Sequence, residues 1–381
     1  MINKNANVIQ ILEKLISCKS LTPNDDNCQK YIAEYLEELG FIIDFKKYDD
    51  VTNLIARYGT DSPVIAYVGH TDVVPIGDIK KWNTDPFKLT EKESKLYGRG
   101  TSDMKGSIAC MMYSIQKFLS NNKNHVGSIM IILTSDEEGP AINGIKKLVE
   151  SGTLTNHAID MCIVGEPSCK KDIGDTIKNG RRGSLSGKLK IQGVQGHIAY
   201  PQNAMNPIHA FSPILNQLVI EKYDNGNKYF PPTSFQISNI NSGVGVTNII
   251  PGDLDMDFNF RYSTETTKNK LQEKFEHIMK SSKLSYQVTW SHSGDPYLTT
   301  KDELLNACAS SIKEELNIVP EITTDGGTSD GRFMAKICDQ VIEFGLINES
   351  IHKINEHTTS SNLNAVTKIY TSMLNRLLNS K

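Results

Sequence analysis

Ser128-Ile-Met-Ile-Ile-Leu-Thr134 runs directly into Ser135-Asp136-Glu137-Glu138-Gly139. A short run with an apolar interior suits a strand buried on both faces, as in parallel sheets covered by helices. Three consecutive acids at the end of such a strand repel one another and are costly to desolvate. They therefore demand either open solvent or a compensating cation. Outward from this stretch, strand-like runs occupy 41–45, 53–58, 64–69 and 159–164, and helical patterns occupy 6–18, 27–39, 106–120 and 142–151. That alternation predicts an α/β fold whose mainly parallel, mixed sheet is covered on both faces.

The order of elements changes after residue 180. Strands at 184–192, 234–240, 253–262 and 285–290 alternate with helices at 206–221 and 267–280, the first helix with Asn206 as N-cap and Pro207 at its first position. This β-α-β-β-α-β sequence is the ferredoxin-like unit. A helix at 302–315, a strand at 340–345 and a helix at 360–379 then resume the first pattern. The expected organisation is a discontinuous catalytic domain, 1–182 and 294–381, interrupted by an inserted domain at 183–293.

Lys and Arg number 41 against 44 Asp and Glu, a net charge of −3. That balance predicts no nucleic-acid partner and no attraction to an anionic membrane surface. No run of about 18 apolar residues exists to span a bilayer. The N-terminal stretch carries Glu13 and Lys14 and reads as an amphipathic helix, not a signal segment, so a cytoplasmic location is the expectation. Seven Cys without CxxC spacing suggest neither a disulfide framework nor a thiolate metal site.

Four more clusters lie near strand ends. His70-Thr-Asp72 places an imidazole and a carboxylate two apart on an extended segment, a spacing that suits a metal ligand and its orienting partner, or simply a polar loop. Gly98-Arg-Gly-Thr-Ser-Asp103 opens a helix without the phosphate-loop pattern, and Asp103 suits a cation or a helix cap. Glu166 follows the 159–164 strand, and His352 follows the 340–345 strand. Open α/β sheets place their sites at the carboxyl ends of strands. Two His and several carboxylates without Cys suit zinc, or cobalt or manganese. The count also fits a bridged pair. If Asp103 bridges, one ion takes His70 and Glu166, the other takes Glu138 and His352, and Glu137 is left as general base.

These motifs carry a family resemblance. HTDVVP (70–75), GRGTSDMKG (98–106), DEEG (136–139) and GEP (165–167) make the chain similar to the di-metal aminoacylase and carboxypeptidase metallohydrolases over essentially its full length. NGRRGS (179–184), GHIAYP (196–201), TDGGTSDGRF (324–333) and IHKINE (351–356) resemble the branch that hydrolyses N-succinyl-L,L-2,6-diaminopimelate; a related deacylase acting on acetylornithine is the alternative. A catalytically inactive scaffold of the same fold would lack Glu137 or a ligand, and none is missing.

The resemblance implies two zinc ions per chain, held as in the bridged arrangement, with Asp72 orienting His70 and Glu137 as base. It implies an inserted domain that serves as dimerisation and lid domain, a homodimer, and His197 reaching the partner's site to stabilise an oxyanion. Arg181, Arg182 and Arg261 resemble the arginines that grip a substrate with several carboxylates, a role suited to guanidinium forks. Ser184, Asn248, Gly327, Thr328 and Asn348 complete the implied substrate contacts. The chain departs from the pattern at Ser168, where many relatives have Thr after GEP, and at 343–348, which lacks the proline expected after Gly345; the second departure bears on the loop around Asn348.

Overall fold

The computed structural model describes residues 6–282 and 284–379. The chain divides into two compact units, one of Met1–Gly180, Leu298–Thr323 and Ser329–Lys381, the other of Arg181–Tyr297 with Thr324–Thr328. Residues 1–5 and 380–381 of the expected catalytic domain, and 283 of the inserted one, lie outside the described residues. The expected boundaries need correction. Arg181, Arg182, 294–297 and Thr324–Thr328 group with the second unit. Hydrogen bonds explain why 324–328 does so: Thr324 Oγ1 donates to the Tyr229 carbonyl and Arg181 Nη1 to the Asp325 carbonyl, each at 2.6 Å.

An eight-stranded mixed sheet forms the first unit, in the order Ile42–Tyr48, Val51–Tyr58, Ser128–Thr134, Val64–His70, Met161–Val164, Val341–Glu343, Thr176–Lys178, Glu321–Thr323. Ser128–Thr134, Val64–His70, Met161–Val164 and Val341–Glu343 run parallel to one another, and every residue in them is buried. This is the continuous apolar patterning that parallel strands require. The helices Val8–Ser17, Lys105–Asn121 and Ser360–Leu378 pack into the same core as these strands. Register aligns the strand ends: His70 pairs with Thr134, and Val164 pairs with both Val68 and Glu343. The segments after these strands therefore emerge at one edge. Thr176–Lys178 and Glu321–Thr323 were not expected from the sequence, because three residues are too few to display a period.

Helix Lys105–Asn121 begins so close to the loop before it that a Cβ on Gly106 would lie 2.2 Å from the Thr101 carbonyl oxygen. Backbone cannot swing aside as a side chain can. Gly106→Ala is accordingly expected to cost about 1–3 kcal/mol, measured as a lower urea midpoint; an unchanged midpoint would show that the loop yields freely.

A four-stranded antiparallel sheet builds the second unit, in the order Ser234–Ser242, Asp253–Tyr262, Gly183–Gln192, Ser285–Gly294. Leu185, Leu189 and Ile191 point inward between exposed Lys188, Lys190 and Gln192, the alternation of a sheet with one wet face. Helices Pro207–Ile220 and Lys268–Lys280 cover the apolar face through Phe211, Leu218, Leu271 and Phe275. Asn206 caps the first of these, its side chain accepting from Ile208 N at 3.0 Å. No helix among the described residues is long and apolar enough to cross a membrane.

Candidate metal centre

His70 ends its strand almost wholly buried, at 1% exposure. Its Nδ1 donates to the Asp72 carbonyl oxygen at 2.9 Å, which leaves Nε2 facing Asp103 Oδ1 at 3.3 Å and Glu166 Oε1 at 3.7 Å. The other oxygen of Asp103 lies 3.3 Å from His352 Nε2, and His352 Nε2 lies 3.0 Å from Glu138 Oε1. Two donor sets result, His70–Asp103–Glu166 and Asp103–Glu138–His352, each with its ligand atoms within 4.8 Å of one another. Asp103 belongs to both. A glycine precedes both His70 and Glu166, and a Cβ at either position would lie 2.4 Å (Gly69) or 2.6 Å (Gly165) from the Met104 Cε. These two glycines thus give the residue after Asp103 its room.

The electrostatics are those of excess negative charge. Asp103, Glu137, Glu138 and Glu166 bring four carboxylates against two imidazoles. Burial pushes Glu137 up to about 8, with Asp330 and Glu138 adding to the shift and His70 opposing it. Burial, and then the charges of Asp103 and Glu137, hold Glu166 well above the carboxylate range. Contacts with Asp103 and Glu138 push His352 up to about 10. Burial disfavours a charged His70, yet Asp103, Glu166 and Asp72 together raise it well above its usual value. A proton on each imidazole or a divalent cation would offset this charge. The geometry favours the cation: the buried His70 Nε2 and Asp103 Oδ1 face each other without a hydrogen bond. Unpartnered buried polar atoms are costly, and converging lone pairs suit a metal ion.

The structure adds detail at two further acids. Asp72 holds His70 through its backbone carbonyl; its carboxylate is 3.7 Å from Nδ1 and instead accepts the backbone N–H groups of Glu137 at 3.4 Å and Glu138 at 3.1 Å. Asp136 stands apart from the metal cluster. Its carboxylate accepts N–H groups of Ala141, Ile142 and Asn143, which closes the turn after the strand. The acidic triplet therefore splits: one residue shapes the turn and one joins a donor set.

The implied substrate residues fall mostly in the second unit: Arg181, Arg182, Ser184, His197, Asn248, Arg261, Gly327 and Thr328. Arg181 is held on the Asp325 carbonyl, and Ser184 Oγ accepts from Asn259 Nδ2 at 3.0 Å. Arg261 sits opposite Ser184 across the sheet. His197 is exposed, its Nδ1 accepting from Ala199 N at 3.1 Å, with the Tyr200 ring 5.6 Å away. Asn348 lies in the first unit, its N–H on the Cys169 carbonyl. Sequence reasoning overlooked Glu356, the last residue of IHKINE. It is fully buried against the loop that carries Asp103, and an acid ending a polar motif gave no sign of this.

The model of peptidase family M20/M25/M40 matches residues 66–376. The chain is 51% identical over 372 residues to a succinyl-diaminopimelate desuccinylase of Hydrogenovibrio crunogenus, covering 97% of this chain and 98% of that one. It is 48% identical over 374 residues to the protein of the same name in Acinetobacter baumannii, covering 98% and 99%. Among solved structures, an M20 metallo-carboxypeptidase from Sulfolobus solfataricus superposes with a TM-score of 0.82 at 17% identity, covering 98% of this chain and 99% of that one. A dinuclear metal-binding M20 peptidase of Bacillus subtilis gives a TM-score of 0.71 at 17% identity, covering 96% of each chain.

Proposed function

The chain belongs to peptidase family M20/M25/M40, and from that membership we propose that it hydrolyses the amide of N-succinyl-L,L-2,6-diaminopimelate. The products are succinate and L,L-2,6-diaminopimelate, on the route to lysine and meso-diaminopimelate. The observation that carries the chemistry is Asp103, one carboxylate shared by two histidine–carboxylate donor sets. The full-length relatives named above supply the substrate.

His70 and Glu166 would hold one zinc, Glu138 and His352 the other, with Asp103 between them; cobalt or manganese would suit the same oxygen and nitrogen donors. When bound, such ions supply Lewis acidity that brings the pKa of a water down to about 7. Glu137 accepts a proton from the attacking water and delivers it to the departing amine nitrogen. Its carboxylate is free for that exchange because it belongs to neither donor set. Asp72 contributes by fixing the backbone of Glu137 and Glu138 and the ring of His70. Arg181, Arg182 and Arg261 would grip the substrate's carboxylates, and Ser184, Asn248, Gly327, Thr328 and Asn348 would contribute further substrate contacts.

The working form we propose is a cytoplasmic homodimer joined through the second unit. Ser234–Ser242 and Ser285–Gly294 are the two edges of its sheet; Ile240 on the first edge and Ile220 at the end of a covering helix are exposed. Open edges favour a two-fold contact between copies. His197 of each chain would then donate a hydrogen bond to the oxyanion formed in the partner's site.

Activity assays on succinyl-diaminopimelate and acetylornithine test the substrate. The first should turn over far faster; preference for acetylornithine would replace the desuccinylase by its sister deacylase. Treatment with a chelator should abolish turnover, zinc or cobalt should restore it, and metal analysis should find up to two ions per chain. Full activity in protein shown to be metal-free would end the metal-centre reading.

A further inference from the structure

We infer that Glu356 is a positioning residue, locking the loop that carries Asp103 to the loop that carries His352. The inference rests on the metal-centre reading above. Glu356 is 0% exposed. Its Oε1 accepts the backbone N–H groups of Ser102 at 2.8 Å and Asp103 at 3.0 Å. Its Oε2 accepts the N–H of Gly100 at 3.0 Å and Arg99 Nη1 at 2.8 Å. Arg99, itself 2% exposed, also donates to the carbonyls of Lys353 at 3.1 Å and Pro75 at 3.3 Å, and its guanidinium lies 5.2 Å from the centre of the Trp82 ring. One buried ion pair thus ties together the segments that follow His70, precede Asp103 and follow His352.

A buried ion pair adds little net stability, because desolvation offsets the Coulomb gain. What this one contributes is geometry. Each oxygen of Asp103 faces a different histidine at 3.3 Å, so a shift of half an ångström in its backbone would disturb both donor sets. Glu356 holds the N–H of Asp103 itself. At the other end, His352 and Asn355 both adopt left-handed backbone, with φ of 58° and 62°. Asn and His tolerate that conformation better than most side chains, but it still costs more than the right-handed one and is held by neighbouring contacts. The anchored Glu356, next to Asn355, supplies part of that constraint. His352 and Asp103 are therefore set by a common fixture, and Glu138 is the only member of the second donor set outside it.

Glu356→Gln tests the idea with almost no change in shape. A carboxamide has an acceptor on one side only, so either the Ser102–Asp103 pair or the Gly100–Arg99 pair loses its acceptor. Zinc-loaded wild type and variant are equilibrated against a graded fluorescent zinc chelator, and the zinc retained per chain is counted. The variant should stay folded and release zinc at roughly 10–100-fold lower chelator strength than the wild type does, the Asp103–Glu138–His352 set, two of whose members the fixture holds, giving way first. Its kcat should fall with KM changed little. A merely structural role would lower the thermal midpoint of the zinc-free protein without moving the release curve. If wild type never retains two zinc ions, the metal-centre reading itself fails. If wild type retains two and the variant releases them identically, the positioning role is overturned. Should Glu356→Gln not fold, Glu356→Asp decides: earlier release of one zinc supports the role, and an unaltered curve overturns it.

Discussion

Glu137→Gln is expected to lower kcat by ~10²–10⁴-fold, the usual worth of a general acid–base group, with zinc content and fold intact. Its neighbour should behave in the opposite way: Glu138→Gln should lose metal first and activity in consequence. The two acids share a turn, and both backbone N–H groups rest on the Asp72 carboxylate. Only Glu138, however, places an oxygen 3.0 Å from His352, and only Glu138 belongs to a donor set. Kinetics and zinc analysis on both purified variants check the assignment. Exchanged phenotypes would mean that the adjacent pair has been assigned the wrong way round.

Mixing two inactive proteins should restore activity. His197→Ala and Glu137→Gln subunits, allowed to exchange, form mixed dimers in which one site lacks both groups and the other has both. Random pairing in a two-fold dimer then leaves about a quarter of all sites intact. Recovery toward that level on mixing, followed in the same succinyl-diaminopimelate assay, is the expected result. Were His197 to act within its own chain, every site in the mixture would remain defective and the activity would stay flat.

How much of this was legible beforehand depended on the kind of signal. Runs with continuous apolar interiors marked Ser128–Thr134, Val64–His70 and Met161–Val164 closely, because a strand buried on both faces has no polar residue in its interior. The donor residues were legible because each follows such a strand or opens a helix. Short strands such as Thr176–Lys178 escaped notice, since their partners are distant in sequence and three residues carry no period. The roles of Asp136 and Glu356, and the hold of Asp72 on Glu137 and Glu138, were hidden for another reason. Each acts through backbone N–H groups, which every residue except proline possesses and which no side-chain pattern announces. The allegiance of Thr324–Thr328 was likewise set by bonds to Tyr229 and Arg181, nearly a hundred residues or more away in the chain.

The place of Val341–Glu343 has a consequence for how the protein is made. This strand lies between Met161–Val164 and Thr176–Lys178, in the interior of the large sheet. Both neighbours leave the ribosome long before it does. At ~5–20 residues per second, the sheet would stand split for on the order of ten seconds or more, with two unpaired edges that would become interior only later. Unprotected edges of that kind invite pairing with other chains. The inserted unit has all four strands of its sheet by Gly294 and can close first. A nascent chain stalled between the two events would therefore be a client for chaperones, and truncations ending before Val341 should accumulate as aggregates.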